Sequence, residues 1–231
     1  VAQLTEEFRN ADAVYLTEYR GLTVPQISDL REKLGRDTSY TVAKNTLARI
    51  AAKNHANGAL NPWAHMRKDL GFKFCNTVSD RNPMIAAPLR KTDCSLVSDG
   101  AAAVILAADD AVADFPRAVR LRARVQVNDY LPMARRRVVD FEGPRRAWQQ
   151  ALQQAGCAVH DLSLAEVHDC FTIAELLTYE AMGLAPAGQG HRLLEDGTVL
   201  RSGRLPVNAS GGLKAKGHPI GATGVSMHVV S

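Results

Sequence analysis

Between Leu205 and Gly224 the sequence reads LPVNASGGLKAKGHPIGATG, with five glycines and a His-Pro pair inside one short stretch. Glycine loses more conformational entropy on ordering than any other residue. A cluster of it is tolerated where the backbone must take positive φ or let another group come very close. Such a segment, gathered around His218, points to a site built on a loop. Length limits what that site belongs to: 231 residues, 46% hydrophobic and 23% charged, bury a core in one or two folded domains. No run of about 18 apolar residues occurs, and the opening VAQLTEEFRN has neither a basic flank nor an apolar core. The expectation is a cytoplasmic protein with no membrane span.

Cys75, Cys94, Cys157 and Cys170 lie far apart without a C-x-x-C pair, so reduced thiols are expected rather than a disulfide framework or a zinc knuckle. His65, His160, His191 and His228 show no ligand spacing, and no metal is expected. The formal charge of +4 is a small surplus. Its densest runs, PRAVRLRARVQ and MARRRVVD, fit the wet face of a sheet edge or a surface for an anionic cofactor.

Along the chain, LTEEFRNA has helical spacing, AVYLTEY alternates, and TVPQISDLREKLG opens a helix with Thr23 at the N-cap, Pro25 in the first turn and Gly35 past the end. SYTVA then reads as a short strand and KNTLARIAAKNHA as a helix. The stretch LTEYRGLTVPQISDLREKLG followed by YTVAKNTLARIAAK resembles the N-terminal domain of the bacterial large-subunit ribosomal protein ten, the stalk-base protein. The resemblance implies binding of ribosomal RNA, with Arg20 and Gly21 in the YRGLT turn and Lys44, Asn45 and Thr46 in KNTL as the contact residues. Seven Lys/Arg balance seven Asp/Glu in residues 1–50, so charge alone does not suggest RNA.

Beyond a join placed between Leu47 and Ala52, a second α/β pattern begins. SDGAAAVILAADD reads as a strand covered on both faces, and RAVRLRARVQV as another strand. GPRRAWQQALQQAGC reads as a helix with Pro144 near its start, Trp148, Leu152 and Ala155 at helical spacing and a glycine at its end. LAEVHDCF reads as a strand delivering polar residues, His168 among them, at its carboxyl end. TIAELLTYEAMG follows as a helix. Sites in open α/β sheets form at such strand ends.

Three ordered stretches, CSLVSDGAAAVIL, EVHDCFTIAELLTYEAMGL and LPVNASGGLKAKGHPIGATG, resemble the C-terminal part of a thiolase of the sterol-carrier-protein type. NPWAHMRKD and PMIAAPLRKTDCS fit the same group, so the resemblance runs from about Ala52 to Val230. The fold class expected is α/β, thiolase-like C-terminal layers (51–231) preceded by a short partial α/β segment (1–50). The resemblance implies an acyltransferase acting on acyl-coenzyme A thioesters, with no bound cofactor. His218 of the GHP box would be the base for a nucleophilic thiol, and His168 of HDCF would sit in the oxyanion environment. Gly211, Gly212, Gly217 and Asn208 would border the acyl substrate, and GATG would open the next helix. A homodimer or a complementary thiolase half is the partner implied.

The family's nucleophilic cysteine lies in an N-terminal half replaced here by the ribosomal-like segment, and its Cys-x-Gly box does not follow the GHP box. The expectation is therefore an incomplete acyltransferase, inactive by itself. The alternatives are a ribosomal RNA-binding module and a thiolase-like aldolase or lyase that works without the cysteine. Residues 1–50 are expected not to share a core with the rest, leaving a protease-sensitive join between Ile50 and Trp63.

Overall fold

The computed structural model describes residues 43–131 and 137–231. The expected elements before residue 43 lie outside them. In helix α1 (Ala43–Ala59), Leu47, Ile50, Ala51 and Asn54 recur at helical spacing and are all buried. The helix ends where Asn61 and Pro62 follow, proline being unable to continue it. Helix α2 (Gly71–Asn76) packs on α1 through Cys75, which joins Ala48 and Ala51 in a small apolar cluster flanked by Leu70 and Phe74.

A hairpin of β1 (Met84–Ala86) and β2 (Leu89–Arg90) comes next, antiparallel with Met84 opposite Arg90. Helix α3 (Glu142–Ala155) starts with Glu142 paired to Arg145 and, at 2.6 Å, to Arg146, a carboxylate suited to the positive end of the helix. It ends at Gly156 with φ of 63°, the left-handed stop the sequence indicates. Helix α4 (Thr172–Ala181) and the short helices α5 (Arg192–Glu195) and α6 (Gly212–Ala215) precede α7 (Thr223–Val230), which begins at the GATG turn.

The main core joins Ile50 of α1 to Ala165 and Val167 of the extended segment before α4, to Tyr179 and Met182 at the end of α4, and to Val199, Leu205 and Val207. Trp148 and Leu152 of α3 close it from one side, as their helical spacing implies. The segment LAEVHDCF is extended and pairs in parallel at Ala165 with Val207 and antiparallel at Phe171 with Cys94.

Two expectations are corrected. SDGAAAVILAADD is not a strand covered on both faces: among the described residues it has no ladder partner, and Ile105 and Leu106 are 82% and 79% exposed. RAVRLRARVQV likewise forms no ladder among the described residues; its Arg122 donates to the Ala155 carbonyl and its Arg124 amide to Gln154 at the end of α3. A strand gains its stability from a neighbouring backbone edge, and apolar alternation without that edge leaves an extended chain. The expected join lies inside helix α1. α1 runs unbroken across Leu47–Ala52, with Leu47, Ala48, Ile50 and Ala51 buried, so exposure within Ile50–Trp63 is concentrated at Leu60, Pro62 and Trp63.

Candidate functional site

The extended segment after Val167 and the loop before α7 bring two histidines together. The rings of His168 and His218 lie 5.0 Å apart between centroids and meet edge to face at 79°. Burial lowers the pKa of His168, with His218 and Lys214 acting in the same direction. Burial also lowers that of His218, helped by Lys216. Both rings are thus held toward the neutral form, in which one nitrogen donates and the other accepts.

The hydrogen-bond network assigns the proton on His218. Thr223 Oγ1 donates its only hydrogen to the Pro219 carbonyl at 2.9 Å, so the 2.7 Å contact between that oxygen and His218 Nδ1 requires Nδ1 to carry the proton. Nε2 is left as the basic nitrogen. The backbone of His218 is fixed separately, its amide donating to Ser98 Oγ at 2.7 Å.

A buried polar network beneath the pair ties α1 to both histidine segments. Lys53 Nζ lies 2.8 Å from Glu175 Oε1 and donates to the Val207 carbonyl at 2.5 Å. Asn54 Nδ2 donates to Glu175 Oε2 at 2.6 Å and to Asp169 Oδ2 at 2.9 Å. Asn57 donates to the Asn208 carbonyl. Asp169, the residue after His168, also accepts from the Leu213 amide at 2.8 Å, and Lys214 Nζ donates to the carbonyls of Asp93 and Asp169. Burial raises the Asp169 carboxyl, an effect that Lys214 opposes and Glu175 reinforces. Glu175 is held below its ordinary value; burial pushes upward, and Lys53 with its other donors outweighs it.

The residues proposed from sequence to border substrate occupy the same framework. Asn208 adopts φ of 56°, accepts from the Val167 amide and donates to Glu175 Oε2. Gly211 and Gly212 have φ of 103° and 58°. A Cβ at Gly211 would stand 2.5 Å from Gly58 Cα, and one at Gly212 only 2.4 Å from Asp169 Oδ2. Their conformational freedom serves close internal approach, the loop against α1 and against Asp169. Gly217 is buried beside His65 and Ser98.

Of the residues considered for RNA, Arg20 and Gly21 lie outside the described residues, as does the side chain of Lys44. Asn45 is exposed and accepts from Asn76 Nδ2, whereas Thr46 is buried. All four cysteines are free thiols. Burial raises the pKa of Cys75 to about 11, and it also raises those of Cys94 and Cys170. Among the described residues, no group of three or more His, Cys, Asp or Glu is placed to hold a metal, and no helix is long and apolar enough to cross a membrane.

Lys53, Asn54, Asn57, Asp169, Glu175 and Lys214 were not singled out by the sequence patterns. One signal for the first three was present: polar side chains on the inward face of a helix whose other inward positions are apolar.

Comparison with known proteins matches residues 126–230 to the thiolase C-terminal domain-like family and residues 1–92 to ribosomal protein L10. An acetyl-CoA acetyltransferase of Methanothermobacter thermautotrophicus is 38% identical over 191 residues, covering 81% of this chain and 48% of the relative. Sterol carrier protein 2 of Bos taurus is 35% identical, covering 82% of this chain and 36% of the relative. Large ribosomal subunit protein uL10 of Bifidobacterium adolescentis is 91% identical over 53 residues, 23% of this chain and 31% of the relative. The chain therefore spans half or less of the length of these relatives. In structure it is similar to the Ltp2-ChsH2(DUF35) aldolase, with a TM-score of 0.67 at 22% identity over 80% of this chain and 50% of that one, a likeness of fold. The α/β expectation stands on that likeness and on the thiolase match. The chain is composite, similar to ribosomal protein L10 in its N-terminal part and to the C-terminal domain of thiolases beyond it.

Proposed function

We propose that the chain carries the histidine half of a thiolase-type site for acyl-coenzyme A thioesters and does not complete thiolysis or condensation by itself. The observation that carries this reading is the edge-to-face approach of His168 and His218 at 5.0 Å, with the His218 Nε2 lone pair free by the tautomer its threonine imposes. A thiol brought to the pair would pass its proton to Nε2 and attack the thioester carbon. The carbonyl electron pair would move onto oxygen, where an N–H of His168 stabilises it, and collapse would expel coenzyme A as thiolate. In this reading Asn208, Gly211, Gly212 and Gly217, all buried, serve the site by holding the loop that carries His218. The similarity to acetyl-CoA acetyltransferase supports the acyl-thioester class.

This reading assigns no cysteine of the chain as the nucleophile. Cys75, Cys94 and Cys170 are all pushed toward the protonated form by burial, and a protonated thiol is a poor nucleophile. The same observation favours a second reading, an aldolase-like cleavage of a β-hydroxyacyl thioester, because a base and an oxyanion donor suffice for it without covalent capture.

The test is incubation with acetyl- and longer acyl-coenzyme A, mapping acylated residues by mass spectrometry while free thiol is assayed. No stoichiometric adduct and no turnover are expected. An adduct on Cys75, Cys94, Cys157 or Cys170 that disappears in His218→Ala would show that the chain holds its own nucleophile. Cleavage of a β-hydroxyacyl thioester without an adduct, lost in the same variant, would favour the aldolase reading. Ribosomal RNA as a partner of the N-terminal segment, and a homodimer or complementary thiolase half as a partner of the remainder, belong to the same proposal.

A further inference from the structure

Behind the GHP loop lies a cavity of about 760 Å³, within the range that small-molecule sites occupy. His168 and His218 do not line it. Its wall is largely apolar, with Leu60, Pro62, Trp63, Leu164, Val229 and Val230. Lys216 also lines it, and this residue is only 6% exposed. Among the described residues the ammonium makes one hydrogen bond, 2.8 Å to Ser226 Oγ. Ser226, also on the wall, spends its own hydrogen on the Thr223 carbonyl at 2.9 Å. An ammonium has three donors, so two remain without a described acceptor.

A buried cation with spare donors is costly unless an acceptor completes it. Burial pushes the Lys216 pKa down, and Glu166 and Asp169 oppose that shift. Glu166 is engaged elsewhere, accepting from the amide and hydroxyl of Ser210, and it is not on the cavity wall. Arg201 adds a second cation to the wall while one of its nitrogens holds the Ala209 carbonyl. The charges call for an anionic head group, and the walls call for an apolar tail.

We propose that this cavity binds an apolar-tailed carboxylate, with the carboxylate on Lys216 and the tail along Trp63, Leu164 and Val230. The site goes beyond the thioester reading, since it uses neither histidine and requires no thioester.

The probe is dodecanoate set against dodecanol, which shares the tail and lacks the charge. Titration of the full chain is followed by calorimetry, and 12-bromododecanoate is used to quench tryptophan fluorescence. Trp63 lines the cavity, whereas the second tryptophan, Trp148, packs against the main core. Dodecanoate should bind about tenfold or more tightly than dodecanol, the difference expected of a charge-assisted hydrogen bond. Lys216→Met should abolish that preference, and Trp63→Phe should abolish the quenching. Equal binding of the two ligands by the unaltered protein overturns the proposal, as does a preference for the acid that survives in Lys216→Met or quenching that persists in Trp63→Phe. Should Lys216→Met fail to fold, Leu164→Trp decides: Leu164 is 38% exposed, so the larger ring fills the wall without disturbing the core, and undiminished dodecanoate binding overturns the assignment. The readout is equilibrium binding of a free acid, so its failure leaves the thioester reading untouched.

Discussion

Acidification should destabilise this protein through His55, a residue on α1 that takes no part in the proposed chemistry. Its side chain is buried, 3% exposed, and Nδ1 has no hydrogen-bond partner among the described residues. Burial lowers its pKa from 6.5 to about 4; Lys214 adds to the shift and Asp69 opposes it. In the unfolded chain the imidazole takes up a proton near pH 6.5, while in the folded chain it waits until about pH 4. Between those values the unfolded state binds more protons, so stability falls as pH falls. At 1.36 kcal/mol per pH unit the gap amounts to about 3 kcal/mol, a large share of the stability of an ordinary domain. His168 and His218, also lowered, act in the same direction. Asp169 and Glu166 are raised by burial and act oppositely, favouring the folded state as pH falls. Their contributions cancel when the protein is compared with His55→Leu. Urea unfolding of both proteins at pH 7, 6, 5 and 4, followed by tryptophan fluorescence, should show the variant gaining about 3 kcal/mol on the unaltered protein across the series. Any fixed cost of the leucine drops out of that difference. A stability gap that stays constant from pH 7 to pH 4 would refute the reasoning.

Glu175→Gln strips the charge from the partner of Lys53 in a pair that is 3% and 0% exposed, and should lower stability by about 3–5 kcal/mol in urea unfolding at pH 7; a loss under about 1 kcal/mol would mean that Lys53 finds another partner. Gly212→Ala places a methyl 2.4 Å from Asp169 Oδ2 at φ of 58°, so a loss of about 2 kcal/mol or more is expected, and wild-type stability would contradict the close approach. Limited proteolysis should cut at Leu60–Trp63, exposed at 65% and 80% at its ends, and spare Ile50–Ala59; early cleavage inside α1 would count against the buried helix. Stalk-base ribosomal RNA should bind weakly at physiological salt, because residues 1–50 carry seven charges of each sign; tight binding lost in Arg20→Ala or Lys44→Ala would reverse that expectation.

What was legible in the sequence was local. The glycine stop at Gly156 and the helical spacing of Trp148 and Leu152 depend on a few neighbouring residues, and each appears as read; the start of α7 at the GATG turn follows what the thiolase resemblance implies. The two histidines were identified from ordered motifs, and the structure brings their rings to 5.0 Å. The misreadings concern partners distant in sequence. Alternation in RAVRLRARVQV and the apolar run in SDGAAAVILAADD describe side chains able to cover a sheet, yet a ladder also requires a second edge, which no local pattern supplies. The same limit hid Lys53 and Glu175, since a lysine on a helix reads as solvated until a carboxylate 122 positions away is folded against it at 2.8 Å. That pair also ties residues next to the expected join to the rest of the fold. Lys53, Asn54 and Asn57 lie just past the expected boundary on the same helix as Leu47 and Ile50. Through Glu175, Asp169 and Asn208 they hold the segments that carry His168 and His218. Helix α1 therefore joins the ribosomal-like sequence to the site itself: its polar inward residues hold the histidine segments, while Ile50 belongs to the core that Trp148 and Leu152 of α3 close.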